Sequence, residues 1–582
     1  MIFPVGKKYN FDLGLKVEAS SPGHYLFAFV CLLVILGAIY SNSFSVGWLF
    51  DDNNNVIFNK NIEMASLNWD EVTRTFYGRD ATQTHISRPL SYLTFGLNYL
   101  VAGHEVFGYH LVNFIIHYLA GVFLFLFLYN TLRLPVLQDR YRDSAYSIAL
   151  LAVFFWATHP IQVAAVTYIV QRMAILAALF SIMAMYFYLK ARVATARKSK
   201  IVFFLFCSFS VILAFACKEN GAMLPVSLWL FDLFLVQGVA SASVKKSLKM
   251  IALPLVVLGV LAILYGQTGS LLGGYENRPF TLGERLLTQP RVLLMYVSLL
   301  LYPLESRLTM FHDVEISTGL FTPWSTLPAA ITVTGFIIVG LMLSRRRPLI
   351  GYCILFFFLN HLVEGSIISL ELIYEHRNYL PSMLFFILPS LLMITVIDYF
   401  SYRKSIQFLM AFIFAFLLAA QSHTTFARNR IFSNEYLFWQ DNIAKAPGLS
   451  RLHNNLGVYL WNRGYDLLSY EQFSLAIWLN NGDTLKMPAI YHENIAFFYL
   501  KKGKYELALK HLLESSRIQV SPTLRTLYGL ALALNYKGNH DKALFFVEQA
   551  IAAAPDREEL HELLSRIRKS QTAVKQNLPL KQ

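Results

Sequence analysis

Asp51 and Asp52 stand side by side in Trp48-Leu49-Phe50-Asp51-Asp52-Asn53, just beyond the first long apolar run. Two adjacent carboxylates at the lip of a membrane helix are costly to hold near hydrocarbon. A membrane-surface reaction that needs a general base or an acidic anchor would account for them. Adjacent acids couple, which raises one pKa and leaves the other as a carboxylate base. The structural alternative is a polar helix end or a capping turn, supported by Asn53, Asn54 and Asn55.

Basic residues recur at comparable places. Arg88 opens Arg88-Pro89-Leu90, Arg172 follows Gln171, and Lys218 begins Lys218-Glu219-Asn220. Arg278, Arg285, Arg291 and Arg307 populate one loop, and Arg377 lies in Glu375-His376-Arg377-Asn378-Tyr379-Leu380-Pro381. Arg and Lys neutralise phosphate through charge-assisted bonds, so the set fits an anionic lipid ligand. For any one of them, snorkelling to the interface is the competing explanation. The candidates for phosphate, in order, are Arg377, Lys218, Arg172 and Arg88, with Glu219, His159 and His376 as candidate lining.

His159-Pro160 ends an apolar run, where proline stops a helix and histidine caps it; a lining role is the alternative. His85, His104, His110 and His312 are scattered and make no metal constellation. No HExxH and no phosphate-binding glycine loop occurs, which argues against nucleotide chemistry.

These residues need a membrane scaffold. The chain has 582 residues, 55% of them hydrophobic, and a mean hydropathy of +0.45. That composition makes most of it a polytopic membrane protein. The 15% aromatic content fits interfacial Trp and Tyr anchors. The formal charge of +14 resides in loops between apolar runs, where it serves topology and contact with anionic lipid rather than nucleic acid. Cys31, Cys207, Cys217 and Cys353 form no CxxC pair, so neither a disulfide framework nor a zinc site is indicated. Lys7, Lys8 and Lys16 precede an apolar run that reads as a true span rather than a cleaved signal.

Hydropathy predicts about eleven spans, near 25–45, 110–131, 145–158, 166–189, 201–216, 222–237, 250–267, 325–344, 349–363, 379–399 and 405–421. Basic clusters at Arg133/Arg140/Arg142, Lys190–Lys200, Lys245/Lys246/Lys249, Arg345–Arg347 and Arg403/Lys404 all fall in the cytoplasm if 291–304 does not cross. That stretch is expected to be re-entrant or surface-lying. Residues 1–24 are then a cytoplasmic N-terminus and 25–421 the membrane domain. Loops 46–109 and 268–324, and everything after about 422, lie outside the cytoplasm.

From 422 the chain becomes more polar, first as an expected linker helix over 422–449. Residues 450–568 carry degenerate repeats at about the 34-residue period of tetratricopeptide hairpins. They are marked by Leu456, Gly457, Gly464, Phe473 and Ala476, then Ala496, Tyr499, Gly503, Tyr505 and Ala508, then Leu527, Ala531, Gly538, Ala543, Ala550 and Pro555. Such solenoids bind extended peptide in a concave groove, or serve self-association. The tail 569–582 is expected to be disordered.

Phe50-Asp51-Asp52, Arg88-Pro89-Leu90, His159-Pro160-Ile161, Gln171-Arg172, Lys218-Glu219-Asn220 and Glu375-His376-Arg377-Asn378-Tyr379-Leu380-Pro381, followed by the repeats, form a familiar order. The chain resembles the transmembrane and tetratricopeptide-repeat O-mannosyltransferases, and more closely their bacterial relatives. The resemblance implies an all-α chain: a helical membrane domain of GT-C glycosyltransferase type, then a repeat solenoid. It implies a polyprenyl-phosphate-linked sugar as donor and a hydroxyl of an extracytoplasmic protein as acceptor, captured through the repeats.

Phe50-Asp51-Asp52 looks like the Phe-Asp-Glu of protein O-mannosyltransferases, which would make Asp51 the base and Asp52 its partner. Where that family often has an acid after its His-Pro, this chain reads Val163-Ala164-Ala165. No cofactor is called for. Some members of the fold use a divalent ion, and the acidic pair with its three asparagines is compatible with one. The expected location is a bacterial cytoplasmic membrane, with the repeats in the periplasm and membrane lipid as a further partner. Two rivals remain at this level: a ligase or polymerase acting on lipid-linked glycans, and a non-enzymatic membrane-anchored assembly platform.

Overall fold

The computed structural model describes residues 22–239, 274–275, 278–480, 489–519 and 521–576. Every regular element among them is helical. The chain divides into two compact units, Met1–Glu435 and Tyr436–Gln582.

In the first unit, eight helices are long and apolar enough to cross a membrane: Pro22–Ile39, Val106–Leu132, Ile169–Val193, Arg197–Cys217, Glu219–Gln237, Thr326–Arg346, Pro381–Tyr402 and Lys404–Phe432. A ninth would be the pair Ala145–Ala157 and Pro160–Val166, bent by 49°. The protein is therefore a multi-pass membrane protein. Pro348–His361 is apolar but only 14 residues long, and the expected span 250–267 lies outside the described residues. The stretch 291–304 belongs mostly to a 20-residue helix, Leu282–Leu301, opened by a Thr281/Glu284 capping box. Glu284, Arg285, Gln289 and Arg291 occupy its first half, which keeps it out of the apolar set.

The bent pair explains much of the packing. Its break at Thr158-His159-Pro160 leaves carbonyls without helical partners, and each must be satisfied inside the protein. Gln421 donates to Phe155 O at 2.8 Å, Thr425 to Thr158 O at 2.5 Å, and Arg428 to Pro160 O at 2.7 Å. These three residues share one face of the last long helix. His117 donates to Ala157 O at 3.0 Å, and its Nδ1 accepts from the Tyr379 hydroxyl at 2.7 Å. The same bonding extends that helix. A linker was expected from 422, yet Lys404–Phe432 is continuous, and Asn429 near its end joins Ile39 O and the Thr167 hydroxyl. A separate helix, Glu435–Lys445, follows.

The second unit is a helical solenoid. Its hairpins are Ser450–Asn462 with Asp466–Asn480, Ala489–Lys501 with Tyr505–Ile518, and Leu524–Tyr536 with His540–Ala553. Gly464, Gly503 and Gly538 turn the chain inside each hairpin with φ of 81°, 68° and 78°, a region costly for other residues. The last helix, Glu558–Gln576, runs through the start of the expected disordered tail. Leu560, Leu563 and Ile567 bury one face of it, and Gln571 bonds Asp541 at 2.7 Å, so the helix continues past Lys569. Residues 577–582 lie outside the described part.

A Cβ on Gly457 would sit 2.6 Å from the buried Phe473 ring. Gly457→Val is expected to cost about 1–3 kcal/mol. Hydrogen exchange on the full chain should show faster amides in the first hairpin and unchanged protection in the membrane unit.

Candidate functional site

The two aspartates have different surroundings. Phe50 takes a left-handed φ of 41° and opens a tight turn. Asp52 is 1% exposed. Its Oδ2 accepts the Leu49 N–H at 3.0 Å and its Oδ1 the Val170 N–H at 2.8 Å. Asp52 thus ties the first loop to the turn that leads into the 172–193 helix. Burial pushes its carboxyl up to about 8, against the pull of both backbone bonds. Asp51 is half-buried, and its backbone N–H donates to the Tyr168 hydroxyl at 2.8 Å.

A second group gathers on Glu364. Lys218 Nζ lies 2.6 Å from Glu364 Oε1, and Arg377 Nε 3.9 Å from Oε2, all three being buried. Burial alone would raise the Glu364 carboxyl, yet Lys218 and Arg377 hold it down to about 2. Arg377 also donates to Glu371 O at 2.8 Å and lies over the Tyr374 ring. His376 stacks on the same ring at 5.1 Å. Burial, with Lys218 beside it, keeps its imidazole neutral well below the ordinary range.

Lys218's neighbour Glu219 binds Arg88 in a fork, with both contacts at 2.9 Å. Arg88 is itself left-handed, with φ 47°. One turn therefore carries halves of two ion pairs. Three cations, Lys218, Arg377 and Arg88, face two carboxylates, Glu364 and Glu219, leaving one positive charge unmatched.

Ring contacts join the two groups. Phe50 packs on Phe311 at 5.5 Å, and Phe311 on Tyr374 at 6.5 Å, the ring beneath Arg377. Glu375 fixes this wall from behind. Its Oε1 accepts the Thr309 N–H at 2.8 Å and pairs with His312 at 2.9 Å, while its Oε2 meets Arg428 at 2.5 Å. Among the described residues, no group of three or more His, Cys, Asp or Glu has metal-binding geometry.

Residues 486–556 match the tetratricopeptide repeat family. Human protein O-mannosyl-transferase TMTC3 is 26% identical over 305 residues, 52% of this chain and 29% of that protein. Drosophila melanogaster protein O-mannosyl-transferase Tmtc3 is 30% identical over 232 residues, 37% of this chain and 25% of that one. Caenorhabditis elegans protein O-mannosyl-transferase F38B6.6 is 23% identical over 454 residues, 74% of this chain and 60% of that protein. The chain is similar to these protein O-mannosyl-transferases over those segments. It spans 29% of the length of human TMTC3.

Among the residues expected from sequence, Lys218, Arg377, Arg88, Glu219 and His376 come together. Arg172 stands apart from them. It is fully buried, and its fork donates to Asn113 at 2.8 Å, Asn98 at 2.5 Å, Thr94 O at 3.1 Å and Tyr109 O at 2.9 Å. With those bonds made, it clamps the 89–102, 106–132 and 172–193 helices. His159 caps rather than lines: its Nδ1 accepts the Ile161 N–H at 3.2 Å and its Nε2 bonds Leu300 O at 3.2 Å. Sequence reasoning missed Glu364 and Arg428. Glu364 had a signal, an acid three residues past the apolar helix ending at His361. Arg428 had none, because its partners are more than fifty residues away in sequence.

Three outcomes follow from this geometry. Asp52→Asn sets an amide N–H against one of two backbone donors and is expected to cost about 1–3 kcal/mol, read as a lowered melting temperature. Asp51→Asn should leave melting nearly unchanged. The Glu364 carboxylate, depressed to about 2 from 4.5, contributes stability that is present above pH 4.5 and lost as pH falls toward 2. Melting measured across that window should show the loss in wild type and a flatter profile in Glu364→Gln.

Proposed function

We propose that this chain is a GT-C-type glycosyltransferase that moves mannose from a polyprenyl-phosphate carrier to a protein hydroxyl on the outer face of the membrane. The observation that carries this reading is the wall joining the half-buried Asp51 carboxylate to a cation cluster with one unmatched positive charge. The names of the relatives supply the sugar and the acceptor class.

In this scheme, Asp51 takes the proton of a Ser or Thr hydroxyl as its oxygen attacks the anomeric carbon. The bond from that carbon to the phosphate oxygen breaks, and the electron pair leaves with the polyprenyl phosphate. Direct displacement inverts the anomeric centre. The leaving phosphate gains charge, and Lys218, Arg377 and Arg88 stabilise it more than they stabilise the intact donor. Asp52 positions the turn and does not exchange the proton. Glu364 and Glu219 hold the cations in place before the donor arrives.

We assign the repeat unit the capture of the acceptor polypeptide, in keeping with the usual role of such solenoids. The charge asymmetry of the loops supports a cytoplasmic N-terminus and an outer-face site. A bacterial cytoplasmic membrane, with a periplasmic acceptor, is part of the same proposal.

Purified full-length protein, supplied with polyprenyl-phosphate mannose and a Ser/Thr-rich peptide, should yield a hexose-mass adduct on the peptide. Asp51→Asn is expected to lower kcat by about 10²–10⁴-fold, with normal folding. Lys218→Gln should mainly raise the donor KM. If the peptide stays unmodified and only a lipid-linked glycan gains a sugar, the acceptor assignment fails. Transfer unchanged in Asp51→Asn removes the base.

A further inference from the structure

A second basic site lies away from the aspartates. Four arginines line a cavity of about 90 Å³: Arg140, from the connection after the 106–132 helix, and Arg345, Arg346 and Arg347, at the end of the 326–346 helix. No carboxylate lines it. Its buried apolar residues are Leu137, Phe234 and Leu349.

Ordinary explanations account for part of this. Arginines in the last turn of a helix offset its dipole, and basic loops set topology. Neither requires arginines from two separate connections to meet around one cavity. Two acids of the flanking segments are already engaged. Asp139 pairs with Arg142 at 3.0 Å, and Asp232 with Arg192 at 2.8 Å. Among the described residues none of the four arginines has an ion-pair partner.

The chemistry fitting such a site is a phosphate oxyanion, which arginine forks recognise by paired N–H bonds. The helix that ends in Arg345 and Arg346 also carries Ile338, Leu341 and Met342, exposed at 50%, 53% and 72%. On a membrane-crossing helix these face acyl chains. A diacyl phospholipid would satisfy both features at once, with its phosphate among the arginines and its chains along the helix. We propose that this cavity binds the headgroup phosphate of an anionic phospholipid, at a site separate from that of the donor lipid. The bound lipid bridges the 132–145 connection and the end of the 326–346 helix through their arginines.

The test uses full-length protein extracted from phosphatidylcholine membranes containing a minority of phosphatidylglycerol, with retained lipid counted by native mass spectrometry. Wild type should keep one phosphatidylglycerol that Arg140→Gln/Arg345→Gln/Arg346→Gln/Arg347→Gln binds about tenfold more weakly. The control, Arg197→Gln/Lys198→Gln/Lys200→Gln, removes exposed positive charge outside the cavity and should keep the lipid. Equal retention in the fourfold variant, or equal loss in the control, overturns the proposal. Displacement of the lipid by inorganic phosphate alone would assign the site to free phosphate and likewise overturn it. If the fourfold variant fails to assemble, Arg140→Glu carries the test, since Arg140 is exposed and outside any helix. Retention unchanged in that variant is a negative result.

Discussion

Backbone carbonyls freed inside a membrane must find donors within the protein, and the break at Thr158-His159-Pro160 makes that demand on this fold. The last long helix meets it with Gln421, Thr425 and Arg428, one residue per turn. Arg428 then does a second thing: its other nitrogen meets Glu375. Glu375 in turn holds the segment at Thr309 and His312 and anchors the turn that carries His376 and Arg377. A requirement of backbone satisfaction thereby propagates, through two side chains, to the cations of the candidate site.

Those cations illustrate how charge is kept at the edge of hydrocarbon. A buried unpaired Lys or Arg would be expensive, and pairing alone would leave nothing for a ligand. The cluster sits between these limits. Glu364 binds Lys218 closely and Arg377 loosely, at 3.9 Å, while Arg377 is steadied by carbonyls and the Tyr374 ring. The carboxylates preorganise the forks without matching them all, so an arriving phosphate would find oriented donors and a net positive field. Arg172 shows the contrasting case, a cation whose fork is spent on the fold.

What could be read from the sequence was whatever has a local signature. Apolar runs gave nearly every span among the described residues, and the small-residue and glycine pattern of 450–568 gave the hairpins, because those signals repeat within a turn or a hairpin. Element ends were less legible. The helix ending at Phe432 and the one ending at Gln576 run past their expected stops, since long-range bonds and one buried face decide where they end. In the candidate site, the adjacent acids and the Lys-Glu and Glu-His-Arg runs were visible as motifs. Their pairing was not, since Lys218 with Glu364 and Arg88 with Glu219 join residues more than a hundred positions apart.

The acidic pair shows why residue type and role separate. Both aspartates occupy one dipeptide, and sequence alone treats them alike. The fold gives Asp52 two backbone donors and almost no solvent, which commits both its oxygens to holding the turn. Each of its oxygens accepts one backbone N–H, and its carboxyl, raised to about 8 by burial, favours the protonated form near neutrality. Asp51 keeps partial access to solvent in the same turn. The buried member therefore carries the cost of positioning, and in the proposed scheme the partly exposed member serves as the base. The left-handed Phe50 opens the turn that gives the two adjacent carboxyls these different surroundings.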